Sequence, residues 1–246
     1  MAAHWDVAGS GRGAALDGAA VRGGNAVPDG PWPRGEVEVP AGPVRQSGRL
    51  ALPTAPRGIV ILVRGAGRHD PRAQGFADAL LGRVLGALLL DLLADGERTP
   101  HNVHDIVLLA RRLRAASQWL RRVTPLPMAY FGMGTGAAAA LEAAAGDDIR
   151  AVVSRSGRPD LAGPAALAAM KTPTLFVVGE LDTWLLGRTR LAADWMRCEH
   201  RLAVVPGATP AFTGPRVLDT ATALGLDWFT DRLLQPVSGT PRPGAV

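Results

Sequence analysis

Cysteine and lysine are each present once in the 246 residues, as Cys198 and Lys171. A lone cysteine cannot close an intramolecular disulfide or supply a CxxC-type metal site, so nothing demands an oxidising compartment. No stretch reaches the roughly 18 uninterrupted apolar residues of a membrane span, and the opening MAAHWDVAGSGRGAALDGAAVRGG lacks the continuous apolar run of a secretory signal. The expected location is the cytoplasm, with no membrane association. With one lysine, the formal net charge of +5 is carried by arginine. An arginine bias beside abundant Ala, Gly and Pro fits a GC-rich coding composition as well as an acidic protein partner, and it is weak ground for nucleic-acid binding.

A hydrophobic fraction of 47% over this length suits one large α/β domain with a well-buried core. Residues 1–35 are rich in Gly, Ala, Pro and Arg without periodicity and read as a flexible leader, and 236–246 read as a flexible tail. Between them, over 36–235, apolar runs alternate with helical patterns. GEVEVP and GRLALP suggest short antiparallel strands; RGIVILVRG, GALLLDLLA, LPMAYFG, IRAVVSRSG, TPTLFVVG and HRLAVVPG suggest buried strands separated by helices. One of these helices, in HNVHDIVLLARRLRAASQWLRRV, carries Ile106, Leu109, Leu113, Ala116 and Leu120 along one face. Repeated βα units with continuous apolar strands predict a mostly parallel sheet covered by helices on both faces.

In MAYFGMGTGAAAALEAAA an apolar run meets glycine-rich punctuation and opens into an alanine-rich helix, the layout of a G-x-S-x-G nucleophile elbow without its serine. VRGAG, DLL, YFGMGTGAAAAL, AVVSRSGRPDLAG, PTLFVVGELD and VVPGATPAF, in this order, resemble the dienelactone hydrolase-like branch of the α/β-hydrolases. The resemblance implies that fold over about residues 36–235. It places the nucleophile at Gly134, the triad acid at Asp182 and the histidine at Pro210, and it puts Arg64 before Gly65 where His-Gly is usual. Glycine offers no attacking atom and proline's side chain accepts no proton, so Asp182 has no base to orient, and triad hydrolysis is not expected. A glycine also takes the strained elbow conformation with little cost.

What the resemblance leaves is a pocket at the C-terminal ends of the strands, lined near Gly65, Ala66, Met133, Gly134, Thr135, Asp182 and Pro210. The N–H groups of Ala66 and Thr135 are the expected cradle for a carbonyl or an anion. No metal and no cofactor is implied. The reading is a catalytically degenerate member binding a small molecule or a protein partner; the alternative is an active hydrolase, lyase or isomerase working through Asp182 or His69. Thr135 is read as a helix-start residue rather than a nucleophile, and Cys198 as an inert thiol. His101, His104 and His200 are read as caps or surface groups before metal ligands, although His101 and His104 at i, i+3 have Asp105 nearby. Arg111, Arg112, Arg114, Arg121 and Arg122 with Trp119 are read as a solvated helix face before a phosphate site. Asp160, beside Arg155 and Arg158, suggests an ion-pair network at a strand end. Neither glycine-rich loop fits G-x-G-x-x-G or a P-loop, so a nucleotide site is not expected.

Overall fold

The computed structural model describes residues 15–16, 19–22, 34–63 and 71–234. Arg64, Gly65, Ala66 and His69 therefore lie outside the described residues. Among the described residues, ten strands are ordered β1-β2-β3-β4-β6-β5-β7-β8-β9-β10. The first two, β1 (Ala15–Leu16) and β2 (Ala19–Arg22), fall within the stretch read from composition as a leader. β3 (Arg34–Ala41) and β4 (Val44–Ala51) form an antiparallel hairpin turning at Gly42, whose φ of 69° suits glycine. The remaining strands run parallel: β5 (Ile59–Val63), β6 (Gly86–Leu90), β7 (Met128–Gly134), β8 (Ala151–Gly157), β9 (Thr174–Gly179) and β10 (His200–Val205).

The apolar runs of these strands are continuous because both faces of the sheet are covered. Along β5, Ile59, Ile61 and Val63 enter one core, while Val60 and Leu62 enter the other. β7 repeats the division, with Met128 and Tyr130 on the first side and Ala129 and Phe131 on the second. The first core is closed by α2 (Ile106–Val123) and α3 (Thr135–Ala144), the second by α1 (Pro71–Leu81) and α6 (Pro215–Leu233). Ile106, Leu109, Leu113, Ala116 and Leu120 are all buried, as their spacing requires. α4 (Pro164–Ala169) and α5 (Thr183–Ala193) complete the βα units. Among the described residues, no helix is long and apolar enough to cross a membrane.

The chain leaves β5 for β6 on one side and returns to β7 on the other. That reversal makes the carboxyl ends of β5 and β7 a topological switch point, the kind of place where open α/β sheets bind ligands. Val63 pairs with Gly132, so Met133 and Gly134 project past the end of β5. Lys171, exposed in the connection from α4 to β9, sits at the opposite, amino-terminal end of the strands.

The arginine-rich helix departs from the solvated face expected of it. Arg112 is buried and ion-paired with Glu97 at 2.7 Å, and Trp119 is buried in the first core. Arg114 donates to the Glu142 carbonyl and Arg121 pairs with Asp147 at 2.5 Å. α2 is thus fastened along both flanks, and Arg111, Arg121 and Arg122 have the exposure anticipated while Arg112 and Arg114 do not.

Candidate functional site

The elbow is formed as a sharp strand-to-helix turn. Gly134, the N-terminal cap of α3, has φ 55° and ψ −132°, a region that side chains enter only with strain of about 1–3 kcal/mol. Two other glycines make the turn this tight. A β-carbon on Gly132 would stand 2.4 Å from the Ala137 Cα, and one on Gly157 would stand 2.2 Å from the Ala137 Cβ. Small residues are needed where the first turn of α3 packs on β7 and β8.

The end of β8 and the residue after it tie the site together. The Arg158 N–H donates to the Gly134 carbonyl at 3.0 Å, and the Ser156 hydroxyl, within β8, donates to the Pro210 carbonyl at 2.9 Å. The Pro210 loop in turn meets the Asp182 loop, where the Leu181 N–H donates to the Ala208 carbonyl at 3.0 Å and Glu180 accepts from the Gly207 N–H at 2.8 Å. One chain of hydrogen bonds therefore connects the loops carrying Gly134, Pro210 and Asp182. Asp182 itself is partly exposed and caps α5, with Oδ1 accepting from the Leu185 N–H at 3.1 Å. Pro210 is exposed.

Met133 accepts a 3.0 Å contact from the guanidinium of Arg155, which is buried and lies 5.2 Å from the Phe131 ring centre. The expected ion-pair network thus divides: Arg158 grips Asp160 with two 2.8 Å bonds, while Arg155 turns into the protein beside Met133. The Arg158 hydrogen bonds hold the Asp160 carboxyl below its usual range, although partial burial opposes this. Thr135 has its hydroxyl buried without a hydrogen-bond partner among the described residues. It faces a recess of about 10 Å³ walled by Asp91, Leu92, Leu93, Arg98 and Val103, with the room of roughly one water.

Among the described residues, the histidines and the cysteine make local contacts. His104 bonds the Pro100 carbonyl, Asp105 caps α2 through the Leu108 N–H, and His200 bonds the Cys198 carbonyl. Burial pushes the Cys198 thiol up, as an inert thiol requires. Sequence reasoning missed two residues beside the site. Ser156 has φ 44°, uncommon for a side-chain-bearing residue, and Trp184 is half-exposed with the guanidinium carbons of Arg158 and Arg188 at 4.8 and 5.2 Å from its ring centre. Trp184 stands two positions after Asp182 in GELDTW, a spacing that was available; no local signal marks Ser156.

No family model matches the chain. Two Mycobacterium tuberculosis proteins, provisionally named phosphoribosyl transferases, are 43% identical over 242 residues, 95% of this chain and 52% of theirs. The chain thus spans about half the length of the curated relatives it matches. Among solved structures, the dienelactone hydrolase from Anabaena variabilis is 37% identical, with a TM-score of 0.78 over 82% of this chain and 98% of that one. A dienelactone hydrolase-like promiscuous phosphotriesterase from metagenomic libraries, at 18% identity and a TM-score of 0.67 over 82% and 99%, shares the fold. Sheet order, elbow and a relative of this identity matched over nearly its whole length place the chain in the dienelactone hydrolase-like family of α/β-hydrolases.

Proposed function

We propose that this chain is a non-hydrolytic member of its family that binds a small molecule in the pocket at the elbow. The observation that carries the reading is Gly134: the backbone keeps the φ 55° conformation that presents a nucleophile at the crevice, and the residue there has no side chain to present. Pro210, in the loop expected to supply a base, brings only a carbonyl oxygen, and Ser156 already donates to it. With no attacking atom and no proton acceptor, an acyl intermediate cannot form by the triad route. The Thr135 N–H at the start of α3 would then serve binding. Asp182 acts in this reading as a helix cap, which accounts for its retention without a base to orient.

The phosphoribosyl transfer named for the mycobacterial proteins is assigned in this reading to the half of them that the present chain does not match. The test is acylation chemistry. The native chain is expected neither to hydrolyse p-nitrophenyl acetate nor to label with a fluorophosphonate, while the Gly134→Ser, Pro210→His double variant is expected to label. Lactones and their open-chain carboxylates are the probes for binding, read as a rise in Tm of the native chain. Turnover by the native chain that disappears in Asp182→Ala would replace this reading with the active-enzyme alternative.

A further inference from the structure

The sequence has five methionines, and one of the four within the described residues stands apart from the rest. Met128, Met170 and Met196 are buried, with 3, 2 and 7% exposure, while Met133 is partly exposed. A thioether is oxidised where an oxidant can reach it, so Met133 is the one of the four set out for oxygen transfer. It also stands one residue before Gly134, at the end of β7.

Its neighbour across the sheet is a buried cation. Met133 pairs with Arg155 of β8, so the two side chains rise from the same face on strands about 4.8 Å apart. Nη2 of Arg155 donates to the Met133 sulfur at 3.0 Å, and the guanidinium carbon lies 5.2 Å from the Phe131 ring centre. Arg155 is only 3% exposed. A buried guanidinium gains most from a strong acceptor, and a thioether sulfur is a weak one. A sulfoxide oxygen carries a large partial negative charge and accepts strongly. In an apolar core that polarity is disruptive; beside Arg155 it meets a fixed cation.

We propose that Met133 is a reversible oxidation site whose sulfoxide is held by Arg155. A hydroperoxide gives one oxygen atom to the Met133 sulfur. The S–O bond forms as the O–O bond breaks, the sulfur loses two electrons, and the peroxide is reduced to water or an alcohol. A dithiol reductase reverses the step, releasing the oxygen as water and becoming a disulfide. The Arg155 contact occupies one of the two sulfur lone pairs, so the oxidant attacks the other. One sulfoxide epimer therefore forms in excess, and a turn of the flexible Met133 side chain brings its oxygen to the guanidinium. A polar group then stands beside Gly134 in place of an apolar one. None of this depends on whether the elbow hydrolyses or only binds.

The test uses the full chain with Cys198→Ser, which removes the thiol as a competitor for peroxide. In dilute hydrogen peroxide, peptide mass spectrometry should show Met133 gaining one oxygen at least about tenfold faster than Met128, Met170 or Met196, a difference that urea should abolish. The Met133 sulfoxide, released in a peptide, should be reduced by one of the two epimer-specific methionine sulfoxide reductases and largely spared by the other. The oxidised chain should keep its urea midpoint. In Arg155→Leu the epimer excess should vanish and oxidation should lower the midpoint. Should Arg155→Leu fail to fold, the rate, the epimer and the midpoint of the native residue pair still decide. Equal rates at the four methionines overturn the proposal, as do equal amounts of the two epimers or a midpoint that falls on oxidation with Arg155 in place. So does an epimer excess that persists in Arg155→Leu.

Discussion

A methyl group added at Gly134 would have to occupy a conformation at φ 55° that glycine alone takes cheaply. Gly134→Ala is accordingly expected to destabilise the fold by about 1–3 kcal/mol, read as a lower urea midpoint with an unchanged slope. Gly132→Ala should cost more, because its methyl meets the Ala137 backbone at 2.4 Å and no side chain can move aside. Tyr130 gives a second prediction at this scale. It is the only tyrosine, and its buried hydroxyl donates to Asp147 at 2.5 Å, in contact with Ser117. Burial first, and the Asp147 charge second, push its pKa well above 10. A raised acid contributes stability that is intact below the unfolded pKa of about 10 and is lost as pH rises toward the folded value. Tyrosinate absorbance should therefore appear only as the chain unfolds in alkali, and Tyr130→Phe should flatten the alkaline fall in stability.

At the scale of elements, α2 is held to the segment after β6 by the pair of buried Arg112 with partly exposed Glu97, in which Glu97 also accepts from the Ala94 N–H at 3.1 Å. Glu97→Ala would leave the guanidinium buried without its carboxylate and should cost about 3–5 kcal/mol in chemical denaturation, whereas joint replacement of Glu97 and Arg112 by apolar residues should cost much less. This pair also marks the limit of what the sequence discloses. The strands and helices from β5 to α6 could be read from their apolar periods, and the elbow from its glycines, because both are local signals. Burial of Arg112 could not be read, since its carboxylate is 15 residues away and the helix period alone places arginine outside. The split between Arg155 and Arg158 was hidden for a related reason. Adjacent residues of a strand point to opposite sides, but Ser156, within β8 and at φ 44°, breaks that alternation before the chain reaches Arg158.

Lys171 carries a consequence of a different kind. It is the only side-chain amine in the sequence, and it is exposed at the amino-terminal end of the sheet, while Gly134 closes the carboxyl end. The six residues of β9 put about 17 Å of strand between those two ends. Coupling at Lys171 would anchor the protein by the pole opposite its elbow, so that on a sensor surface Gly134 faces the flowing solution.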